Sequence, residues 1–161
     1  MRGAALPSAL LCSALALALA FAPRRAWVPS FVALVAMAIL VAIAPVHREW
    51  LEGAFLGCWV SVIACAVAVF LPGGVSARGA LALSLNAGLW SGAVVAVAGS
   101  HFDLLMAVLC VLVLVPGAWI IGARVPIAVK VVSSWLIAVA VLAATLQLLP
   151  VTPGYLPDHM E

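Results

Sequence analysis

The chain alternates between long apolar stretches and short breaks that contain proline, glycine or charged residues. A helix needs roughly 20 apolar residues to cross about 30 Å of hydrocarbon, and six stretches approach that length. Gly, Pro and charge are the usual punctuation between such helices. The pattern predicts an all-α, polytopic transmembrane bundle of six helices over residues 1–149, with a short tail over 150–161. The six stretches run over Leu6–Ala22, Val28–Ala44, Leu51–Leu71, Ala80–Ala98, Leu104–Gly122 and Val129–Leu149.

The positive charges of the breaks predict an orientation. Loops rich in Lys and Arg stay on the cytoplasmic side of a membrane. The breaks after helices 2 and 4, together with the two ends of the chain, hold only Arg2 and Arg48. The sequence therefore predicts that both termini, and the tail, lie on the outer face. The basic residues assigned to the cytoplasmic side follow helices 1, 3 and 5: Arg24, Arg25, Arg78, Arg124 and Lys130.

Composition supports a membrane as the solvent of this chain. Hydrophobic residues make up 68% of the sequence, charged residues 7%, and the mean hydropathy is +1.37. A soluble domain averages about 45–50% apolar and about 25% charged residues. A small soluble fold could not bury so much apolar surface. The expected partner is the lipid bilayer, and a net charge of +2 without a basic run predicts no nucleic acid.

The first apolar stretch has a second interpretation. Arg2, the apolar run and Ala20-Phe21-Ala22 resemble a secretory signal with a small-residue cleavage site. Cleavage would leave five helices. Pro23 directly after that site and the two arginines that would be carried outward favour a retained helix instead.

The fourth stretch carries small residues on one helical face. Gly88 and Gly92 form a GxxxG pair, and Ser84 and Ser91 lie on the same side. Because lipid gives no hydrophobic drive between helices, small residues that allow close backbone approach supply the packing. These four residues predict a tight helix contact. A narrow path lined by the serines, or a dimer face, is the alternative.

Three further residues interrupt the apolar pattern within the spans. Asn86 lies opposite the small face, and an amide in hydrocarbon needs a hydrogen-bond partner. Pro116 and Gly117 fall inside the fifth stretch. Proline removes a backbone hydrogen bond and clashes with the preceding turn, so this pair predicts a bend, with a hinge as the alternative.

Imidazole and carboxylate groups collect on the predicted outer face. His47, His101, Asp103, Asp158 and His159 come from three separate outer segments. These groups suit zinc, copper or nickel, so a divalent metal is the one cofactor that the pattern admits. The other interpretation is electrostatic, because acidic residues at helix starts are favoured by the helix dipole.

The predicted function follows mainly from what the spans lack. They carry no Asp, Glu, His or Arg near their midpoints, unlike most proton-coupled transporters, and no catalytic motif supports an enzyme. The expectation is a multi-pass accessory or scaffold subunit of a complex in a bacterial inner membrane, with a membrane-protein partner or a second copy. The alternative is a small transporter or channel for a neutral solute or a metal ion.

Overall fold

The computed structural model describes residues 5–44, 50–98, 109–122 and 126–148, and every regular element in those ranges is helical. The all-helical prediction is therefore confirmed. Two short 3₁₀ segments, Arg24–Ala26 and Cys110–Val113, precede the second and fifth α-helices. Within the described ranges the six longer α-helices are α1 Ala5–Ala20, α2 Trp27–Ile43, α3 Leu51–Ala68, α4 Ala77–Ala98, α5 Leu114–Gly122 and α6 Pro126–Leu148.

Three helical stretches are long and apolar enough to cross a membrane. They are Arg24–Ile43, Ala77–Val97 and Ile127–Leu148. Three shorter apolar helices, Leu6–Ala20, Glu52–Ala68 and Cys110–Trp119, accompany them. Length and composition thus make these three helices membrane spans in principle, while six full crossings remain a prediction.

Helix α1 lies at the centre of the bundle. It contacts α3, α4, α6 and the fifth segment, formed by Cys110–Val113 and α5. Leu11, Leu15 and the run from Ala14 to Leu19 are almost wholly buried. An amphipathic helix would bury only one stripe, whereas α1 is apolar all round and is enclosed on nearly every side. The first apolar stretch therefore forms the core of the fold.

The carboxyl end of α1 is held by groups from two other segments. The indole Nε1 of Trp27 donates a hydrogen bond to the carbonyl of Leu19 at 2.9 Å. The backbone N–H of Val75 donates to the carbonyl of Phe21 at 3.4 Å. The carbonyl of Leu19 also accepts the backbone N–H of Ala22 at 2.9 Å. The two bonds from Trp27 and Val75 therefore fix the end of α1 against the segments that follow it.

The turn after α3 depends on Gly74. Its φ is +78°, a left-handed conformation, and a Cβ placed there would lie 2.7 Å from the carbonyl oxygen of Phe21. Only glycine adopts that conformation without steric cost. Gly74 therefore lets the α3–α4 connection approach the end of α1.

The outer helices pack in two pairs against this centre. Helix α2 lies along α4, and α6 lies along α3. The end of the bundle where α1 ends and α2 and α4 begin carries the exposed side chains of Arg24, Arg25 and Arg78. A Cβ at Gly117 of α5 would lie 3.6 Å from the Cβ of Ala20 near this same end. The next helix, α6, carries the exposed Lys130 in its second turn. The three arginines thus share one end of the bundle.

Candidate functional site

An open groove runs along the outside of the bundle between α3 and α4. Its volume is about 620 Å³. Gly53, Val60, Ala64 and Ala82 border it and are exposed, so the groove opens sideways rather than into the core. In a membrane, such an opening faces the lipid. The residues that line it are Gly53, Leu56, Gly57, Val60, Ser61, Ala64, Ala82, Leu83, Asn86 and Trp90.

A chain of hydrogen bonds forms the floor of this groove, which we call the α3/α4 groove. The Nδ2 of Asn86 donates to Ser61 Oγ at 2.8 Å, and the Nε1 of Trp90 donates to Asn86 Oδ1 at 3.1 Å. Asn86 and Trp90 are four residues apart on α4, so they share a face. The amide that the sequence left without a named partner therefore joins α3 to α4.

The amide of Asn86 keeps hydrogen-bonding capacity for a further group. A carboxamide offers two N–H donors and two acceptor positions on its oxygen. The hydrogen bonds with Ser61 and Trp90 use one donor and one acceptor position. Asn86 is only partly buried and lines the groove. A polar group that entered the groove would thus meet one donor and one acceptor in an otherwise apolar setting.

The ring of Trp90 is seated on the backbone of Gly57. A Cβ at position 57 would overlap the six-membered ring of the indole. Gly57 on α3 therefore allows Trp90 to lie flat across the groove floor. Ser61 and Gly57 are one helical turn apart on α3 and face the matching pair on α4.

The small face of α4 lies against α2, on the other side of α4 from this groove. A Cβ at Gly88 would lie 2.6 Å from the Leu34 carbonyl oxygen, and one at Gly92 would lie 2.6 Å from the Ala38 carbonyl oxygen. The paired positions advance together along both helices, so α2 and α4 run parallel. Glycine at these two positions therefore lets the backbones of α2 and α4 approach closely.

The serines of this face are enclosed by the contact. Ser84 is fully buried, and Ser91 is 1% exposed and donates a hydrogen bond to the Gly88 carbonyl at 3.3 Å. Ser30 of α2, one turn before Leu34, is buried as deeply as Ser84. Among the described residues neither of these two hydroxyls has a hydrogen-bond partner. In this structure the serines that the alternative interpretation placed along a path are buried inside the bundle.

Pro116 and Gly117 lie in the first turn of α5, directly after the 3₁₀ segment Cys110–Val113. The residues that flank this segment, Leu109 and Leu114, have right-handed helical dihedral angles, so the chain is already helical before α5 begins. The bend at Pro116 stays a prediction. Gly117 is buried, and a Cβ there would lie at ordinary contact distances of 3.5 and 3.6 Å from side-chain atoms of Leu17 and Ala20 of α1.

Four cysteines lie in or beside the core, and all are free thiols. Cys12, Cys58 and Cys65 are buried and Cys110 is partly buried. Within the described ranges no group of three or more His, Cys, Asp or Glu side chains is placed to hold a metal ion. The residues of the predicted outer metal cluster, His47, His101, Asp103, Asp158 and His159, lie outside the described ranges.

Two hydrogen bonds were not predicted from the sequence. Ser61 is the polar partner of Asn86, and its only signal was a hydroxyl in the middle of an apolar helix. Trp27 donates its indole N–H to the Leu19 carbonyl at the end of α1, a contact that no spacing in the sequence indicated. No family model, no curated protein and no solved structure matches the chain.

Proposed function

We propose that the chain is a multi-pass membrane protein whose six helical segments all cross the bilayer. The three long apolar helices support this, as do the three shorter ones that share the bundle with them. The end that carries Arg24, Arg25 and Arg78 is the cytoplasmic end, because basic residues are retained on that side. Both termini then lie outside, as expected for a bacterial inner-membrane protein of this topology.

Labelling of introduced cysteines tests this topology. A thiol at position 76, between α3 and α4, should react with a membrane-impermeant maleimide only after the cytoplasmic side is opened. A thiol at position 156 should react in intact cells. The unmodified chain is the control, because three of its four cysteines are buried and the fourth is partly buried. Labelling of both sites from one side would contradict six crossings.

Within that membrane we propose an accessory or scaffold role, in which the α3/α4 groove receives one transmembrane helix of a partner protein. The groove itself is the observation that carries this proposal. Acyl chains of lipids can cover any apolar surface, but they cannot form hydrogen bonds with the remaining donor and acceptor of Asn86. A helix with a polar side chain can pair with Asn86 while its backbone approaches the small residues Gly53, Ala64 and Ala82.

The hydrogen-bond chain also explains why the groove keeps its shape. Asn86, Ser61 and Trp90 fix α3 and α4 relative to each other before any partner binds. Interhelical hydrogen bonds of this type average only about 0.6 kcal/mol in membranes. Their main contribution is therefore position and specificity, since a preformed groove lowers the ordering that binding requires.

Site-specific photocrosslinking tests the accessory role. A photoreactive amino acid at Val60 or Ala82, on opposite walls of the groove, should give one crosslinked product of the same mass in native membranes. The matched control is the same amino acid at Leu142, which is 61% exposed on α6 away from the groove. Gly53→Trp, which adds a ring where nothing lies within 4 Å of the Cβ position, should abolish the product.

Other outcomes would overturn the docking of a partner helix. Crosslinks of equal yield from positions 60, 82 and 142 would show a general lipid-facing surface. A product with twice the mass of this chain would make the occupant a second copy of it. Crosslinks to lipid alone, with no protein product, would favour the transporter or channel class instead.

A further inference from the structure

A second cleft, which we call the α2/α5 cleft, opens near the arginine end of the bundle. It lies between the first turns of α2 and the fifth segment, and α1 forms its floor. Its volume is about 330 Å³, and it has almost no polar surface. Val28, Leu112 and Val115 on its walls are 65–72% exposed. The residues that the argument uses are Leu19, Trp27, Val28, Phe31, Leu112 and Val115.

Two cations stand at one end of this cleft. Arg24 and Arg25 form the 3₁₀ turn that leads directly into α2, and both are exposed. Arg24 precedes Val28 by four residues and Phe31 by seven, which is the spacing of one face of a helix. The side chain of Arg24 therefore starts one helical turn before Val28, which forms part of the cleft wall.

The positive charge at this end is not matched by the described acidic residues. Glu52 is the only described carboxylate, and it lies in the first turn of α3. The far end of α3 leads to the turn that contacts Phe21 beside the arginines, so Glu52 and the arginines are at opposite ends of the bundle. Within residues 5–44, 50–98, 109–122 and 126–148, the arginines lack an ion-pair partner.

We propose that the α2/α5 cleft binds one anionic phospholipid from the leaflet at the arginine end. An acyl chain lies along Val28, Phe31 and Leu112, and the headgroup phosphate is bound by Arg24 and Arg25. Basic residues at the cytoplasmic ends of transmembrane helices attract anionic headgroups in this way. Arginine suits the task because its planar fork can donate two bonds to a phosphate.

Trp27 contributes its ring to the cleft wall, and its indole N–H does not contact the lipid. Its Nε1 already donates to the Leu19 carbonyl, so the orientation of the indole is fixed and its ring lines the cleft. The wall is thus formed in advance, which lowers the ordering that binding requires. This inference rests on the membrane insertion proposed above but not on the partner-helix role of the α3/α4 groove.

Native mass spectrometry of the full chain in mild detergent tests the site. Phosphatidylglycerol and phosphatidylcholine with identical acyl chains are titrated separately. One basic residue at a membrane surface strengthens anionic binding by roughly fivefold, so Arg24→Gln with Arg25→Gln should weaken phosphatidylglycerol binding by roughly 25-fold. The control, Arg78→Gln with Lys130→Gln, removes the same charge from residues that do not line the cleft, so it should weaken phosphatidylglycerol binding clearly less than the Arg24 and Arg25 variant.

A filling variant keeps the charge and changes only the cleft. Val28→Trp should reduce binding of both lipids and leave the helix content in circular dichroism unchanged. Equal binding of the two lipids by the unmodified chain would overturn the proposal. So would an equal loss in the two charge variants, which would indicate attraction by overall charge, or full binding by Val28→Trp, which would place the lipid elsewhere. A chain recovered only in the soluble fraction would refute membrane insertion itself.

Discussion

Leu15→Ala is expected to lower the free energy of unfolding in mild detergent by about 2 kcal/mol or more, within the range of about 2–5 kcal/mol for buried leucines. Leu15 lies midway along α1 and is fully buried. Detergent keeps apolar groups out of water even when helices separate. The loss therefore comes mainly from the cavity and the missing van der Waals contacts. Thermal unfolding followed by circular dichroism measures it.

Leu6→Ala is the matched control on the same helix. Leu6 is 59% exposed, so truncation opens no enclosed cavity, and the expected change is within about 0.5 kcal/mol. An equal loss in both variants would contradict the central position of α1.

The burial of α1 also bears on its two interpretations from sequence. Leu11, Leu15 and Leu19 are all buried against other helices, so a chain that began at Pro23 would leave their neighbours around an open channel. A cleaved signal segment has no such packing role. In this structure α1 is a core helix, and its retention after synthesis stays a prediction that rests on Pro23 and the two arginines that follow it.

The first three helices begin within one residue of the positions that hydropathy predicts, whereas two later helices begin three residues earlier. The fourth helix begins at Ala77 rather than Ala80, because Ser76 Oγ accepts the N–H of Gly79 at 3.1 Å and caps it. The sixth begins at Pro126 rather than Val129, since proline suits the first position of a helix. Charged residues mark the place where the chain leaves the hydrocarbon region of the membrane, and a helix can extend beyond that place.

The neighbours of each helix were not predictable. Periodicity identified the face of α4 that carries Gly88, but not that α2 would cover it. In water, one apolar stripe must face the core. In lipid, every face is compatible with the solvent, so contacts are set by shape and a few polar groups. The hydrogen bond between Asn86 and Ser61, which are 25 residues apart, is one of these few polar contacts.

The bend expected at Pro116 illustrates a further limit. The sequence placed proline inside one continuous helix over Leu104–Gly122. In the structure the 3₁₀ segment Cys110–Val113 leads directly into α5, and Pro116 is the third residue of α5. Short 3₁₀ stretches of this kind often mark a place where a helix departs from regular geometry. Hydropathy could not locate this local change of helix type, and the bend itself stays a prediction.

Gly88→Leu and Gly92→Leu are each expected to lower the free energy of unfolding in detergent by about 1–3 kcal/mol. A Cβ at either position falls 2.6 Å from a carbonyl oxygen of α2, so α2 and α4 must move apart. Gly53→Leu is the matched control, since nothing lies within 4 Å of its Cβ position. Helix propensity alone favours leucine over glycine, so this control should be neutral or slightly stabilising.

The atoms that oppose the new side chain decide whether a second substitution can compensate. At Gly88 they are the Leu34 carbonyl oxygen, the Met37 Cβ at 2.9 Å and the Ala38 nitrogen at 3.2 Å. All three remain when Met37 is shortened to alanine. Met37→Ala should therefore fail to restore the stability of Gly88→Leu, because the obstacle is backbone rather than a flexible side chain. Full rescue, or unchanged stability in both glycine variants, would place this face of α4 away from α2.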